Sequence, residues 1–119
     1  MGQLEDLKST FQEEYSAAQI LKQHQKTKSV TILLSKSLFA LVDYIIYQEF
    51  QKLPKNHSER FRILEQKFPE IYLLVDRVWS SYIDAYNKPA QEKSIKMLEG
   101  VIDEIINQQK IPKDITKIS

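Results

Sequence analysis

Residues 29–50 read SVTILLSKSLFALVDYIIYQEF. From Val30 to Phe50 there are 21 residues; 14 are apolar, and none is Gly or Pro. At 100° per residue the apolar side chains cover most of the circumference. Only a narrow strip carries Lys36 and Asp43. A helix apolar nearly all round has to be covered by several neighbours. The stretch is therefore expected to be the central helix of a small all-α, up-and-down antiparallel bundle. It has nearly the length of a membrane span. Lys36, Asp43 and Glu49 interrupt it, however, and a charge at the bilayer centre costs about 3 kcal/mol even on lenient scales. The expected environment is a protein core, with no membrane contact.

The totals point the same way. A chain of 119 residues is one domain by length and can bury one modest core. Its net charge of +1 supplies no bulk field for nucleic acid, so any such contact needs a local patch. The absence of Cys excludes disulfides, thiolate metal sites and Cys nucleophiles. His24 and His57 stand far apart, outside any metal-ligand spacing. The polar opening MGQLEDLK has no signal-peptide character, and Asp6 replaces the hydroxyl residue of a myristoylation site.

Two Gly and four Pro leave long helices as the default. Leu4, Leu7, Phe11, Tyr15, Ala18 and Leu21 fall on one stripe and predict helix one, Gln3 to Gln25. The central helix follows, with Thr27 or Ser29 as N-cap, and ends near Lys52 ahead of Pro54. Asn56-His57-Ser58-Glu59 reads as a capping box. It opens a short third helix, His57 to Lys67, whose inner face is Phe61, Leu64 and Phe68. Pro69 can sit in the first turn of helix four, Glu70 to Tyr86. There Ile71, Val75, Val78 and Tyr82 form one stripe, and Tyr72, Trp79, Ile83 and Tyr86 a second. Helix five is expected from Pro89, at N1, to Gln109. Its stripe is Ile95, Leu98, Ile102 and Ile105, flanked by Val101 and Ile106. Gly100 inside it costs about 1 kcal/mol and suggests a close helix crossing. Residues 1–109 thus form the domain, and Lys110 to Ser119 a loose tail.

Motifs for phosphate loops, zinc hydrolases, Ca²⁺ loops, nucleophile elbows and di-iron bundles are absent from this sequence. Three features remain. Lys36 and Asp43, seven residues apart, share one face of the central helix. They are either its exposed strip or a pair facing a cleft or a second subunit. Arg77 lies in mid-helix beside an aromatic face and can offer phosphate a bidentate fork, or simply pair with Asp84 or a residue on helix five. His57 opens helix three and suits acid–base work near neutral pH, or packs on the preceding loop.

The order of these elements resembles the HEPN family (higher eukaryotes and prokaryotes nucleotide-binding), in its small stand-alone prokaryotic and archaeal branch. The family's YYAxFHA-type segment is matched by Ser35-Lys36-Ser37-Leu38-Phe39-Ala40. Its PKTH-type connector is matched by Pro54-Lys55-Asn56-His57. Its Arg-x4-Tyr pattern is matched by Arg77-Val78-Trp79-Ser80-Ser81-Tyr82. The resemblance implies a helical bundle that dimerises. It also implies a metal-independent ribonuclease, often a toxin paired with a nucleotidyltransferase antitoxin. In active members a His follows the Arg by four to six residues. None follows Arg77. The resemblance therefore carries over Arg77 and Tyr82 as cleft residues but not the ribonuclease activity.

The leading expectation is a HEPN-like accessory or binding protein, cytoplasmic and homodimeric. It would contact a nucleotide, RNA or partner nucleotidyltransferase near Arg77, Tyr82 and His57, with Asp84, Lys36 and Asp43 as further candidates and no metal or cofactor. A ribonuclease toxin and a purely structural interaction module are the alternatives.

Overall fold

In the computed structural model, which describes residues 2–85 and 92–116, the apolar stretch is the long helix α2, Thr27–Phe50. Val30, Leu34, Leu38, Leu41, Val42, Ile45 and Ile46 are all buried along it. Its three buried hydroxyls, Thr31, Ser35 and Ser37, donate to the helix carbonyls of Thr27, Thr31 and Leu34 at 2.8–2.9 Å. Among the described residues no buried side-chain N or O lacks a partner. This hydroxyl back-bonding lets a helix carry polar residues on faces that neighbours cover. By length and composition α2 could cross a bilayer, with a mean hydropathy of 1.7, but 67% of that window is buried within the fold.

The described chain is all-α. The helices are α1 (Gln3–Gln23), α2, α3 (His57–Lys67), α4 (Pro69–Asp84) and α5 (Glu92–Gln108), followed by a 3₁₀ turn, Lys113–Thr116. The most extensive interface joins α1 to α2. Helix α5 packs on α2 and α4, and α3 packs on α4. Phe11 and Ala18 are the buried contributions of α1. Ile95, Leu98, Val101, Ile102, Ile105 and Ile106 of α5 are all buried, as the heptad-like spacing requires.

Helix ends follow local chemistry. Asn56 Oδ1 accepts from the Glu59 N–H at 2.9 Å, which starts α3 at His57. The Glu59 carboxylate reaches back to the Lys55 N–H at 3.1 Å, one residue beyond the usual capping-box donor. Phe68 alone separates α3 from α4, and Pro69 takes the first position of α4, where its missing N–H is no loss. Helix α2 stops at Phe50, two residues short of the expected Lys52, because Gln51 turns left-handed with φ 57°. Helices α1 and α5 both close in Schellman turns. Lys26 N–H bonds Leu21 C=O with Gln25 N–H to Lys22 C=O, and Ile111 N–H bonds Ile106 C=O with Lys110 N–H to Asn107 C=O. Gln25 and Lys110 occupy the left-handed position, with φ 58° and 54°.

Other sequence expectations change besides the end of α2. Neither Thr27 nor Ser29 caps α2, since both lie inside it and its N-cap is Lys26, with no side-chain bond. Gly100 marks no helix crossing: a Cβ there would meet nothing within 4 Å. The segment after Lys110 is not loose as far as Thr116, since Ile115 is 3% exposed and the 3₁₀ turn packs on α1. Ile115 joins the buried core and Ile111, just ahead of the turn, packs partly against it. Helix α1 ends at Gln23 rather than Gln25 because of its Schellman turn. The readings that rest on Tyr86 and Pro89 lie outside the described residues.

Candidate functional site

The densest chemistry lies where α2, α3 and α4 meet. Asp43 projects from α2 and Arg60 from α3. Arg60 Nε donates to Asp43 Oδ1 at 2.7 Å, and Nη2 to Oδ2 at 2.8 Å, a two-pronged pairing. The two side chains are only 11% and 15% exposed. The remaining arm of the guanidinium, Nη1, lies 2.6 Å from His57 Nδ1. A guanidinium can only donate, so His57 Nδ1 must accept and the ring proton must sit on Nε2. The guanidinium also stands 5.3 Å from the centroid of the Phe39 ring.

Rings enclose this polar core. His57 is 4.8 Å from Phe39, 4.9 Å from Trp79 and 5.9 Å from Tyr82, centroid to centroid. Tyr82 meets Phe39 edge-on at 5.2 Å, and Phe61 meets Trp79 edge-on at 5.0 Å. Edge-to-face pairs contribute about 0.5–1.5 kcal/mol beyond burial, so the cluster fixes α3 against α4 and α2. Partial burial holds the His57 pKa below its ordinary value of 6.5, and the neighbouring Arg60 charge adds to this while Asp43 opposes it. His57 is thus neutral at pH 7, with its only lone pair taken by Arg60. It can donate through Nε2–H but has no free nitrogen to act as a general base.

Outside this core, α3 and α4 leave a shallow cleft of about 410 Å³. It is lined by His57, Ser58, Phe61, Arg62, Glu65, Tyr72 and Trp79. Phe61, Tyr72 and Trp79 are half-buried, so part of each ring faces the opening. The Arg62 side chain is 65% exposed at the rim, with a loose 3.6 Å approach to Glu59.

The structure brings His57, Tyr82 and Asp43 together, the last through Arg60. Arg77 is exposed on α4 and takes part in none of these contacts. At 100° per residue it points some 160° away from Trp79, on the far side of the helix. Asp84 lies on the Arg77 side, two turns on, and is half-buried. Lys36 is exposed and lies near Glu14 of α1, whose carboxyl pKa is raised by burial and partly lowered again by that lysine. Two functional-looking residues escaped the sequence reading, Arg60 and Arg62. For Arg60 a local signal existed: His57 and Arg60 are i and i+3, adjacent on one helix face. No group of three or more potential metal ligands occurs among the described residues. No family model, curated protein or solved structure matches the chain.

Proposed function

We propose that the chain is a non-catalytic binding protein that stacks a base, from a nucleotide or single-stranded RNA, in the aromatic cleft between α3 and α4. The observation that carries this reading is the half-exposed Trp79–Phe61 pair beside an exposed arginine. A base stacked on an aromatic side chain is worth about 1–3 kcal/mol irrespective of its sequence. Arg62 can swing to a phosphate, for which its planar fork is suited. His57 offers an Nε2–H from a ring already oriented by Arg60. This reading keeps the HEPN-type accessory role, in a cytoplasmic dimer, as its context. It moves the phosphate-facing cation from Arg77 to Arg62. The ribonuclease alternative would need a base other than His57.

Trp79 is the sole tryptophan of the chain, which makes it an internal reporter. Titration with ATP and with oligo-A and oligo-U hexamers is expected to change Trp79 emission saturably. Phe61→Ala is expected to weaken that binding about 5- to 100-fold, the equivalent of one lost stack. An emission that stays unchanged to millimolar nucleotide and high-micromolar RNA rejects the reading. Metal-independent cleavage of the hexamers, lost in Arg77→Ala, would replace it with the ribonuclease.

A further inference from the structure

A second cleft, on the other side of α3, is larger and differently built. It measures about 620 Å³ and runs between the end of α2, the 51–56 connector and α3. Its apolar wall is Ile46, Phe50, Leu53 and Ile63. Phe50 is 41% and Leu53 38% exposed, and the two share this one cleft, so their exposed apolar surface is gathered in one place. Lys52, Lys55 and Lys67 stand on the rim and have no ion-pair partner among the described residues. The one acidic lining residue, Glu59, accepts the Lys55 N–H through one oxygen at 3.1 Å and is outnumbered by the three lysines. A chain of net charge +1 has here gathered uncompensated positive charge around exposed apolar surface.

We infer that this cleft docks an acidic, amphipathic peptide segment of a partner protein. An apolar trough flanked by unpaired cations matches a helix whose i, i+3/i+4 and i+7 side chains are apolar and whose flanks are Asp or Glu. Leu-sized anchors would enter between Phe50, Leu53 and Ile63, and carboxylates would meet Lys52, Lys55 and Lys67. The lysines steer the approach and select the sign of the partner; burial of the anchors holds it. The site shares neither Trp79 nor Arg62 with the aromatic cleft, so it stands whether or not a base binds there.

The test uses the full chain and a fluorescein-labelled synthetic helix with Leu on one face and Glu on both flanks. A control peptide replaces every Glu with Lys. Fluorescence anisotropy is expected to show saturable binding of the acidic peptide only, weakening as NaCl rises from 50 to 500 mM. The Lys52→Glu/Lys55→Glu/Lys67→Glu variant is expected to bind at least about tenfold more weakly. Leu53→Asp, placed in the connector where no helix depends on it, is expected to do the same. Far-UV circular dichroism verifies the fold of both. The proposal is overturned if both peptides bind alike, if neither binds, or if the variants bind as the parent does. It is also overturned if the face captures phosphatidylserine vesicles in place of the peptide, or joins two copies of the chain into a dimer that Leu53→Asp dissociates.

Discussion

Asp43→Ala removes the only carboxylate seen on Arg60 and leaves a guanidinium whose side chain is 11% exposed. Two charge-assisted hydrogen bonds disappear, each worth about 1.5–3 kcal/mol. Breaking a buried pair from one side costs about 3–5 kcal/mol, chiefly for the stranded charge. Two features lower that figure here: the residual water access and the His57 Nδ1 that still accepts from Nη1. The expected loss is therefore about 3 kcal/mol. At about 0.05–0.15 kcal/mol per residue, a chain of this size has roughly 6–18 kcal/mol in all, so the variant should fold with a clearly lowered midpoint. Urea unfolding followed at 222 nm reads this directly; with m near 1.5 kcal/mol/M the midpoint drops by about 2 M. Asp43→Ala/Arg60→Met, which removes the stranded charge as well, is expected to recover more than half of the loss. A loss below about 1 kcal/mol for Asp43→Ala, the value of an exposed ion pair, would refute the reasoning.

Gly100→Ala should stabilise the chain by about 1 kcal/mol, raising Tm by about 4 °C by calorimetry, because the added methyl meets no neighbour and helix propensity alone changes. Lys110→Gly should also stabilise, by about 0.5–1 kcal/mol in the same scan, since relief of a left-handed side chain outweighs the entropy of glycine. His57 adds a pH dependence. Its folded pKa lies below 6.5, so the unfolded chain binds the extra proton; this contribution is complete above pH 6.5 and is lost below it, as pH falls through the lower folded pKa. Urea midpoints of parent and His57→Gln between pH 5 and 8 should diverge on the alkaline side and converge on the acid side. The raised pKa of Glu14 has the opposite sign and cancels in that difference.

Much of the fold was legible because its signals are local. The apolar wrap of α2, the stripe of α5 and the Asn56 cap are all contained within a few turns of chain. Gly100 and the tail were misread for one shared reason. The meaning of a glycine or of an Ile111–Ile115 pair depends on what lies opposite, and sequence does not say what does. The same holds for the site. Asp43 and Lys36 share one helix face, which sequence shows, yet the partner of Asp43 is 17 residues away on another helix, which it does not. The Arg77–Tyr82 spacing matches a motif, but five residues on a helix put the two about 140° apart.

The near-complete apolar wrap of α2 also has a consequence in time. Its cover from α1 is already made when α2 emerges during synthesis, whereas the cover from α5 is not. From Phe50 to Gln108 the ribosome must add 58 more residues. At about 5–20 residues per second that takes roughly 3–12 s. For those seconds a segment hydrophobic enough to enter a bilayer lies half clothed. The α1–α2 hairpin, closed by the Schellman turn at Gln25, is the structure that must shelter it until α5 arrives. Variants that weaken that hairpin should accordingly lose soluble yield during synthesis before they lose equilibrium stability.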